Sequence, residues 1–408
     1  MLPNITANKG IRFLILLLIF TYLYFIYKTV SLRGADDDQV FLSIFNSGNI
    51  INSLVNRFNS WSGRFSLELL MTSTIGYDFF WKAGIPICVA LVCYCCCKIS
   101  GFRLSILPFS LALFLFATIP YQINIDASWW ITGFYNYLLP VATALYVFEV
   151  CYSGDSGAFN KFICILLCFY FSYMEQAGLA FSVAMICLIY QKRNMLSKFN
   201  ITIILLVIIN LIICLKAPGN EKRFALEVWR WYPQYQTYGI LNKLSLGFDK
   251  LHQLMTFRYN IPLIFLMISA FYVRCSFSSM KNSTKLALLI IATFISISIA
   301  NSLTGIFTDG FFFNSNTIDA TRWHEVKLYA SYFYIFAVIS SLFFILIDLI
   351  INAKWNYTPV IAMLIGFMTV TMLGLSPTVY ASGYRVDFIF EIMCIISCMS
   401  LISTHLKN

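Results

Sequence analysis

The chain has 408 residues and a formal net charge of +10, and 60% of its residues are hydrophobic while only 11% are charged. An average soluble domain is about 25% charged, so this composition excludes an ordinary soluble domain. The cations are dispersed between apolar runs and form no single patch, so we expect membrane lipids and no nucleic acid as partners. Apolar runs of roughly 15–20 residues recur from end to end, which predicts an all-α, polytopic helical integral membrane protein.

The first apolar run predicts a membrane span over 11–30, after a short polar segment that ends near Lys9 and Arg12. The run is too long for the core of a signal peptide and lacks a small-residue cleavage site, so we expect an uncleaved anchor. Its basic flank places the N-terminus in the cytoplasm. A first periplasmic loop is then predicted over 31–78, and its short apolar run at 65–76 could lie in the interface or re-enter the bilayer.

The later apolar runs predict further spans, for about twelve transmembrane helices in a single domain over 1–408. The run 162–190 is predicted to form two short helices, because one helix would place Glu175 at mid-bilayer. A long periplasmic loop is predicted over 216–258. The spans after the first are predicted at roughly 79–97, 104–119, 137–151, 162–190 (two), 199–215, 260–273, 286–305, 330–351, 357–375 and 386–403.

Three consecutive aspartates, Asp36, Asp37 and Asp38, follow the first span within a few residues, and Arg33 is the nearest counter-ion in sequence. One of them could act as a general base that removes a proton from an attacking hydroxyl. A second could bind a divalent cation or orient the acceptor. The alternative is a solvated acidic loop start, but carboxylates at a membrane boundary are costly to desolvate, which favours a functional role.

Two residues that close the next polar segment, Trp61 and Arg64, are also candidates. An arginine can hold a phosphate or a carboxylate through two parallel hydrogen bonds, although it can equally bind a lipid headgroup. Trp61 could stack on a sugar face or belong to the aromatic belt at the interface.

The segment 121–137 combines aromatic side chains with hydrogen-bonding groups, namely Asp126, Trp129, Trp130, Asn136 and Tyr137. This mixture suits carbohydrate, because apolar ring faces meet aromatics and hydroxyls meet polar side chains. An aromatic belt is the alternative, but a belt needs no Asp and Asn among its aromatics. We therefore expect a sugar-binding segment.

Glu175 and Gln176 lie between the two predicted half-spans, where an ionisable group is a functional candidate by default. A neutral glutamate that packs between helices is the open alternative. Cations also occur in several separate predicted loops, where they could converge on a lipid-linked phosphate or anchor the interface singly. These cations are Lys216, Arg223, Arg322 and Arg385, and Asn220 and His324 lie in the same loops.

The ordered set of motifs resembles the bacterial phage-type, serotype-converting O-antigen glucosyltransferases, which belong to the GT-C class. The matching pieces are the aspartates at 36–38, Trp61-Ser-Gly63-Arg64, Trp130-Ile-Thr-Gly133-Phe-Tyr-Asn136-Tyr137, Glu175-Gln176, Ala217-Pro-Gly-Asn220 with Arg223, and Ser382-Gly383-Tyr384-Arg385. Together they touch most of the chain in order.

This resemblance implies a hexosyltransferase in the bacterial inner membrane whose active site faces the periplasm. Its donor would be undecaprenyl-phosphate glucose, its acceptor an O-antigen or lipopolysaccharide sugar, and its reaction an inverting direct displacement. The general base would be Asp37, supported by Asp36 or Asp38, and dependence on a divalent cation (Mg²⁺ or Mn²⁺) stays open. The donor phosphate would be bound by Arg64, Lys216, Arg223, Arg322 and Arg385. Sugar and acceptor contacts would come from Trp61, Asp126, Trp129, Trp130, Asn136, Tyr137, Glu175, Gln176, Asn220 and His324.

Three other functions are consistent with the sequence. A flippase for a lipid-linked sugar would need polar residues along a path through the bilayer. An O-antigen polymerase-type enzyme would use a lipid-diphosphate donor instead. A non-catalytic scaffold would have no use for the crowded external motifs.

Overall fold

The computed structural model describes residues 9–154, 157–191, 196–277, 280–305, 326–353 and 355–407. The regular elements in these ranges are helical, which confirms the predicted all-α class. In chain order the longer helices are α1 Lys9–Thr29, α2 Asp37–Ser47, α3 Ile50–Ser60, α4 Phe65–Thr74, α5 Asp78–Ile99, α6 Ile106–Ala117, α7 Leu139–Ser153, α8 Ala158–Phe171, α9 Glu175–Gln191, α10 Lys198–Leu215, α11 Pro218–Trp231, α12 Ile240–Met255, α13 Ile261–Cys275, α14 Asn282–Thr304, α15 Val326–Ala353, α16 Thr358–Thr371 and α17 Phe388–His405.

Eight helical stretches in the described ranges are long and apolar enough to cross a membrane, so the protein is an all-α membrane protein. They are α1, α5, the stretch Ile131–Ser153 that contains α7, α10, α14, α15, and the stretches Thr358–Leu375 and Arg385–His405 that contain α16 and α17. The apolar helices α8, α9 and α13 are shorter. Helix α6 and the following stretch Tyr121–Trp129 form a pair that is bent by 92°.

The predicted split of the run 162–190 is confirmed, since α8 ends at Phe171 and α9 begins at Glu175. The break lies at residues 172–174, just before the predicted turn. Glu175 is therefore the first residue of a helix, and its carboxylate lies at a helix end and not at mid-span.

Helix α17 forms the centre of the bundle, and 89% of its most apolar window is buried by the protein itself. It packs against α16, α13, α5 and α6. By contrast, only 6% of the corresponding window of α1 is buried, so α1 lies at the periphery. Just before α17, the short 3₁₀ turn Arg385–Asp387 carries charged residues to one end of the central helix.

The segment 121–138 is helical but irregular, with π-helical turns at Ile125–Trp129 and Phe134–Leu138. Between them Trp130 is extended, with φ −76° and ψ 133°. Gly133 permits the close approach of these two turns, because a Cβ at that position would overlap the backbone carbonyl of Asp126. Turns of this type occur often at functional sites, and here they turn polar residues towards one end of the bundle.

The long loop predicted over 216–258 is largely helical, since it contains α11, the 3₁₀ turn Pro233–Thr237 and α12. Helix α11 packs on α3, where a Cβ on Gly219 would lie 2.5 Å from the backbone nitrogen of Trp61. The second half of α12 is buried against α16, and Gly247 there touches the carbonyl of Thr371. The loop is thus part of the packed structure and reaches the same end of the bundle as the first loop.

Candidate functional site

Trp130 lies at the centre of a group of polar residues that come from distant parts of the chain. The guanidinium of Arg33 lies over its indole ring at 4.7 Å from the centroid, and the guanidinium of Arg385 lies at 5.0 Å. A cation over a tryptophan face is attracted by the quadrupole of the ring. We call this group, Arg33, Trp130 and Arg385, the Trp130 cluster.

Asp126 neutralises one of the two cations. Arg33 Nη2 donates to Asp126 Oδ1 at 2.9 Å and to the carbonyl of Ile125 at 3.2 Å. A Cβ on Gly383 would lie 4.0 Å from Asp126 Oδ2, so the turn before α17 lies beside the same carboxylate. The first loop, the segment 121–138 and the turn before α17 therefore meet at one place.

The three aspartates occupy different environments. Asp38 is fully buried, and its carboxylate accepts hydrogen bonds from the backbone of Arg33 at 2.9 Å and from the backbone and hydroxyl of Thr132 at 2.9 and 2.6 Å. Asp36 and Asp37 are both exposed. Asp38 therefore fixes the first loop to the segment 121–138, while its two neighbours keep carboxylates that face solvent.

Asp36 has an unusual backbone, with φ 78° and ψ −167°. This region is populated almost only by glycine, and other residues adopt it where the surrounding structure forces them to. Such residues cluster at ligand-binding and active sites. The strain lies directly before helix α2, which begins at Asp37.

Arg64 and Glu175 form an ion pair in which Arg64 Nε and Nη2 both donate to Glu175 Oε2, at 3.1 and 2.8 Å. Arg64 Nη1 also approaches Asn136 Oδ1 at 3.5 Å. Burial opposes the charge on Arg64, but the carboxylate of Glu175 outweighs it and holds the pKa of Arg64 above its usual value. Arg64 is thus already neutralised, and a phosphate would have to compete with Glu175 for it.

Gln176 is buried and connects three elements. Its Nε2 donates to the carbonyl of Thr369 on α16 at 3.0 Å and to that of Val386 at 3.1 Å. This amide group is already engaged in holding α9 against the turn that carries Arg385.

The predicted residues of the loop after α10 contact the first loop. Asn220 Oδ1 accepts from the backbone of Gly63 at 3.1 Å, and the guanidinium of Arg223 lies 5.3 Å from the ring centroid of Trp61. Arg223 also pairs with Glu227 at 3.4 Å. Lys216 is exposed at the end of α10.

Several polar atoms around the Trp130 cluster are buried and have no hydrogen-bond partner among the described residues. They include three N–H donors, which are Nε1 of Trp129, Nε1 of Trp130 and Nε of Arg385, and one acceptor, Oδ1 of Asp387. A buried donor without a partner costs roughly 1–3 kcal/mol. Their grouping at one place indicates capacity for a ligand. The other predicted residues of this segment, Asn136 and Tyr137, are buried.

Sequence reasoning missed a buried charge cluster on α12. Lys250 Nζ lies 3.3 Å from Asp387 Oδ2 and donates to the carbonyl of Gly383 at 3.2 Å. Beside it, the buried Asp249 accepts hydrogen bonds from the hydroxyls of Tyr332 and Tyr380. The sequence feature that could have indicated this cluster is a pair of adjacent charges, Asp249 and Lys250, within an amphipathic helical pattern.

Two predicted site residues, Arg322 and His324, lie outside the described residues. Within the described ranges, no group of three or more His, Cys, Asp or Glu side chains is arranged to hold a metal ion. Asp38 gives both of its oxygens to protein donors, so a cation at the aspartates would rely on Asp36 and Asp37. Dependence on Mg²⁺ or Mn²⁺ stays a prediction.

Comparison with known protein families, curated proteins and solved structures finds no match to this chain. The resemblance to the serotype-converting glucosyltransferases therefore stays a prediction. What bears on function is the convergence itself: exposed carboxylates, a cation stack on an indole ring and N–H donors without a partner in the described part of the chain lie at one end of a membrane-embedded bundle. Such a site can accept a proton from a hydroxyl and stabilise an anionic leaving group.

Proposed function

We propose that this protein is a GT-C-type membrane glycosyltransferase. It transfers a hexose, with glucose as the expected sugar, from undecaprenyl phosphate to an O-antigen or lipopolysaccharide sugar on the periplasmic face of the bacterial inner membrane. The proposal includes about twelve crossing segments, formed by the eight long apolar stretches, the bent pair and the three shorter apolar helices. The observation that carries it is the attachment of the first loop to the segment 121–138, because Asp38 binds Thr132 while Arg33 lies over Trp130, and the exposed Asp36 and Asp37 are the chain neighbours of Asp38.

The proposed reaction is a single displacement. Asp37 removes the proton from the acceptor hydroxyl, and the oxygen attacks the anomeric carbon of the donor while the bond from that carbon to the phosphate oxygen breaks. The anomeric configuration inverts, the base holds the proton, and polyprenyl phosphate leaves with the electron pair. Because the leaving group is a lipid phosphate, the enzyme needs no nucleotide site.

Arg385 is the best placed of the predicted phosphate-binding residues. Arg64 is paired with Glu175 and Arg223 with Glu227, whereas Arg385 has no carboxylate partner among the described residues. Its Nε is also a buried donor that lacks a partner in those ranges. A cation that is pre-positioned on an aromatic ring and free of a carboxylate is suited to stabilise a developing phosphate charge.

The second candidate is a flippase for a lipid-linked sugar, which is favoured by two buried carboxylates near the outer end of the central span. Asp387 and Glu391 lie one helical turn apart, and each has one oxygen without a partner among the described residues. Ionisable groups inside a span often mark a transport path. An O-antigen polymerase-type enzyme would share the external site but would require a lipid-diphosphate donor.

The deciding experiment is hexose transfer in liposomes with purified protein, polyprenyl-phosphate glucose and an O-antigen acceptor. The variants are Asp37→Asn, Asp36→Asn and, as the matched control, Asp78→Asn at an exposed aspartate that begins α5. We expect the wild type and Asp78→Asn to add one hexose, and Asp37→Asn to lose roughly 100-fold or more of the rate, as for removal of a general base. An unchanged rate of transfer in Asp37→Asn would exclude Asp37 as the general base.

The same liposomes separate the alternatives. The flippase would be favoured if none of a series of donor sugars is transferred while intact polyprenyl-phosphate glucose moves between the leaflets. Transfer from a lipid-diphosphate donor alone would favour the polymerase-type enzyme.

A further inference from the structure

An apolar cleft that is open on one side lies between the pair α7 and α9 and the pair α16 and α17. Alanines make much of its wall and give it width, since four of them, Ala144, Ala177, Ala180 and Ala184, line it from α7 and α9. The other lining residues include Ile365, Ile389 and Met393 from the opposite pair. Helices α7, α16 and α17 belong to stretches that are long and apolar enough to cross a membrane, and α9 is a shorter apolar helix, so the cleft lies among apolar helices.

The cleft is long, and its two ends differ. Its lining follows α9 from Ala177 to Gln191, which corresponds to about 21 Å at a rise of 1.5 Å per residue. At the end near the Trp130 cluster the lining on α9 stops at Ala177, and the adjacent Gln176 joins α9 to α16 and to Val386 through two hydrogen bonds. At the far end three polar side chains line the opening, namely Tyr152, Gln191 and Thr358.

The far end is also basic. Lys98 precedes the lining residue Ile99 and is 40% exposed, with its ammonium 4.0 Å from Glu149. Arg103 and Lys407 are exposed at the same end, where Lys407 Nζ donates to the carbonyl of Gly101 at 2.5 Å. Basic pockets between transmembrane helices, with an apolar cleft beneath, suit the phosphate and the chains of an anionic lipid.

We propose that the cleft holds an acyl chain of an anionic glycerophospholipid whose headgroup lies at Tyr152, Gln191 and Thr358. The chain enters from the far end, because at the other end the lining on α9 stops beside Gln176, whose amide joins α9 to α16. The lipid fills the space between the two helix pairs and so supports the packing beneath the site. This inference does not depend on the proposed glycosyl transfer.

The test uses variants that fill the cleft, Ala180→Phe and Ala184→Phe. Ile186→Phe is the matched control, since Ile186 lies on the same helix but is 57% exposed on its outer side. Each protein is purified in detergent, its retained phospholipid is quantified by mass spectrometry, and its Tm is measured with added phosphatidylglycerol or phosphatidylcholine. We expect the wild type and Ile186→Phe to retain phospholipid and to gain Tm with phosphatidylglycerol more than with phosphatidylcholine. Both cleft variants should lose at least half of the retained lipid and most of that gain.

A second measurement needs no variant. A phosphatidylglycerol with a photoreactive group on its acyl chain is cross-linked to the wild-type protein, and we expect labelled peptides that contain Ala180 or Met393. Equal lipid retention in Ala180→Phe and Ile186→Phe, or labelling confined to other faces, would overturn the proposal. Loss of the labelling when polyprenyl phosphate is added before cross-linking would also overturn the proposal, because the cleft would then bind a donor lipid.

Discussion

Arg33 and Asp126 are joined by a 2.9 Å ion pair although 93 residues separate them in the chain. Arg33 also donates from its backbone to Asp38 and places its guanidinium over Trp130. The guanidinium of this residue therefore fixes the start of the first loop to the segment 121–138, while its backbone N–H holds Asp38 within the loop. The position of the aspartates relative to the aromatic ring depends on this residue.

Replacing Arg33 by lysine should weaken the site even though the charge is kept. An ammonium cannot donate to Asp126 and the carbonyl of Ile125 while presenting a flat face to Trp130. We expect a drop in Tm and, if the proposed transfer is correct, a larger drop in kcat than in donor affinity. Arg230→Lys is the control, because Arg230 is exposed and lies over Trp231 on α11. Equal effects of the two substitutions would contradict this role.

Asp38→Asn should destabilise the protein much more than Asp37→Asn. The buried carboxylate accepts three hydrogen bonds, and an amide group would turn a donor towards Arg33 or Thr132. Loss of these bonds at a buried site should cost about 2–4 kcal/mol. Thermal unfolding in detergent measures it, with Asp37→Asn expected within about 0.5 kcal/mol of the wild type because that side chain is exposed.

Lys250→Met should be strongly destabilising, because it leaves the buried Asp387 without its counter-charge. Removing one partner of a buried ion pair costs about 3–5 kcal/mol, whereas replacing both by apolar groups is often neutral. The double variant Lys250→Met with Asp387→Leu should therefore recover most of the loss in Tm. Lys285→Met, at an exposed lysine on α14, serves as control. A double variant that is no better than the single one would argue against the pair as the cause.

His252 should make the folded protein sensitive to acid. Burial lowers its pKa to about 4, and its ring packs edge-on against Tyr332 while Nε2 shares a hydrogen bond with Ser331. An unfolded histidine titrates near 6.5, so the unfolded chain takes up the proton first and the contribution to stability is lost as the pH falls from about 6.5 to about 4. The loss should reach about 3 kcal/mol at pH 4. His252→Gln should flatten this part of the profile of unfolding free energy against pH.

Gly133→Ala should disturb the site through the backbone. The added Cβ would overlap the carbonyl of Asp126, so the two π-helical turns would have to separate. We expect a clear fall in Tm. We also expect stronger tryptophan fluorescence, because the buried indole rings would be quenched less by their neighbours. Gly34→Ala is the matched control, since a Cβ there meets open space. A Gly133→Ala protein as stable as Gly34→Ala would show that the turns can relax.

Much of the fold could be predicted because long apolar runs permit little except helices in a membrane. The break before Glu175 was predictable for the same reason, since a mid-bilayer carboxylate is costly. The helical structure of 216–258 was harder to recognise, because α11 and α12 are amphipathic and their polar residues dominate a search for apolar runs. The burial of the second half of α12 results from its packing against α16, which the sequence of α12 does not reveal.

The site was predictable as a set of loops but not as a set of contacts. That the motifs around Trp61, Trp130 and Arg385 share one end follows from the alternation of spans. That Asp38 binds Thr132, and that Glu175 neutralises Arg64, depends on side chains separated by 94 and 111 residues. Sequence alone could not tell a buried, engaged aspartate from its exposed neighbours in the same triplet.

The Trp130 cluster also has a consequence for how the protein is made. Its three members come from the first loop, the first third of the chain and the turn before the last helix, so the indole ring receives its second cation only when residue 385 has been synthesised. Nearly all of the bundle can be inserted into the membrane before this happens. A chain that stops before α17 would thus carry most of the predicted site residues and still lack the assembled site, which ties the appearance of the site to the completion of synthesis.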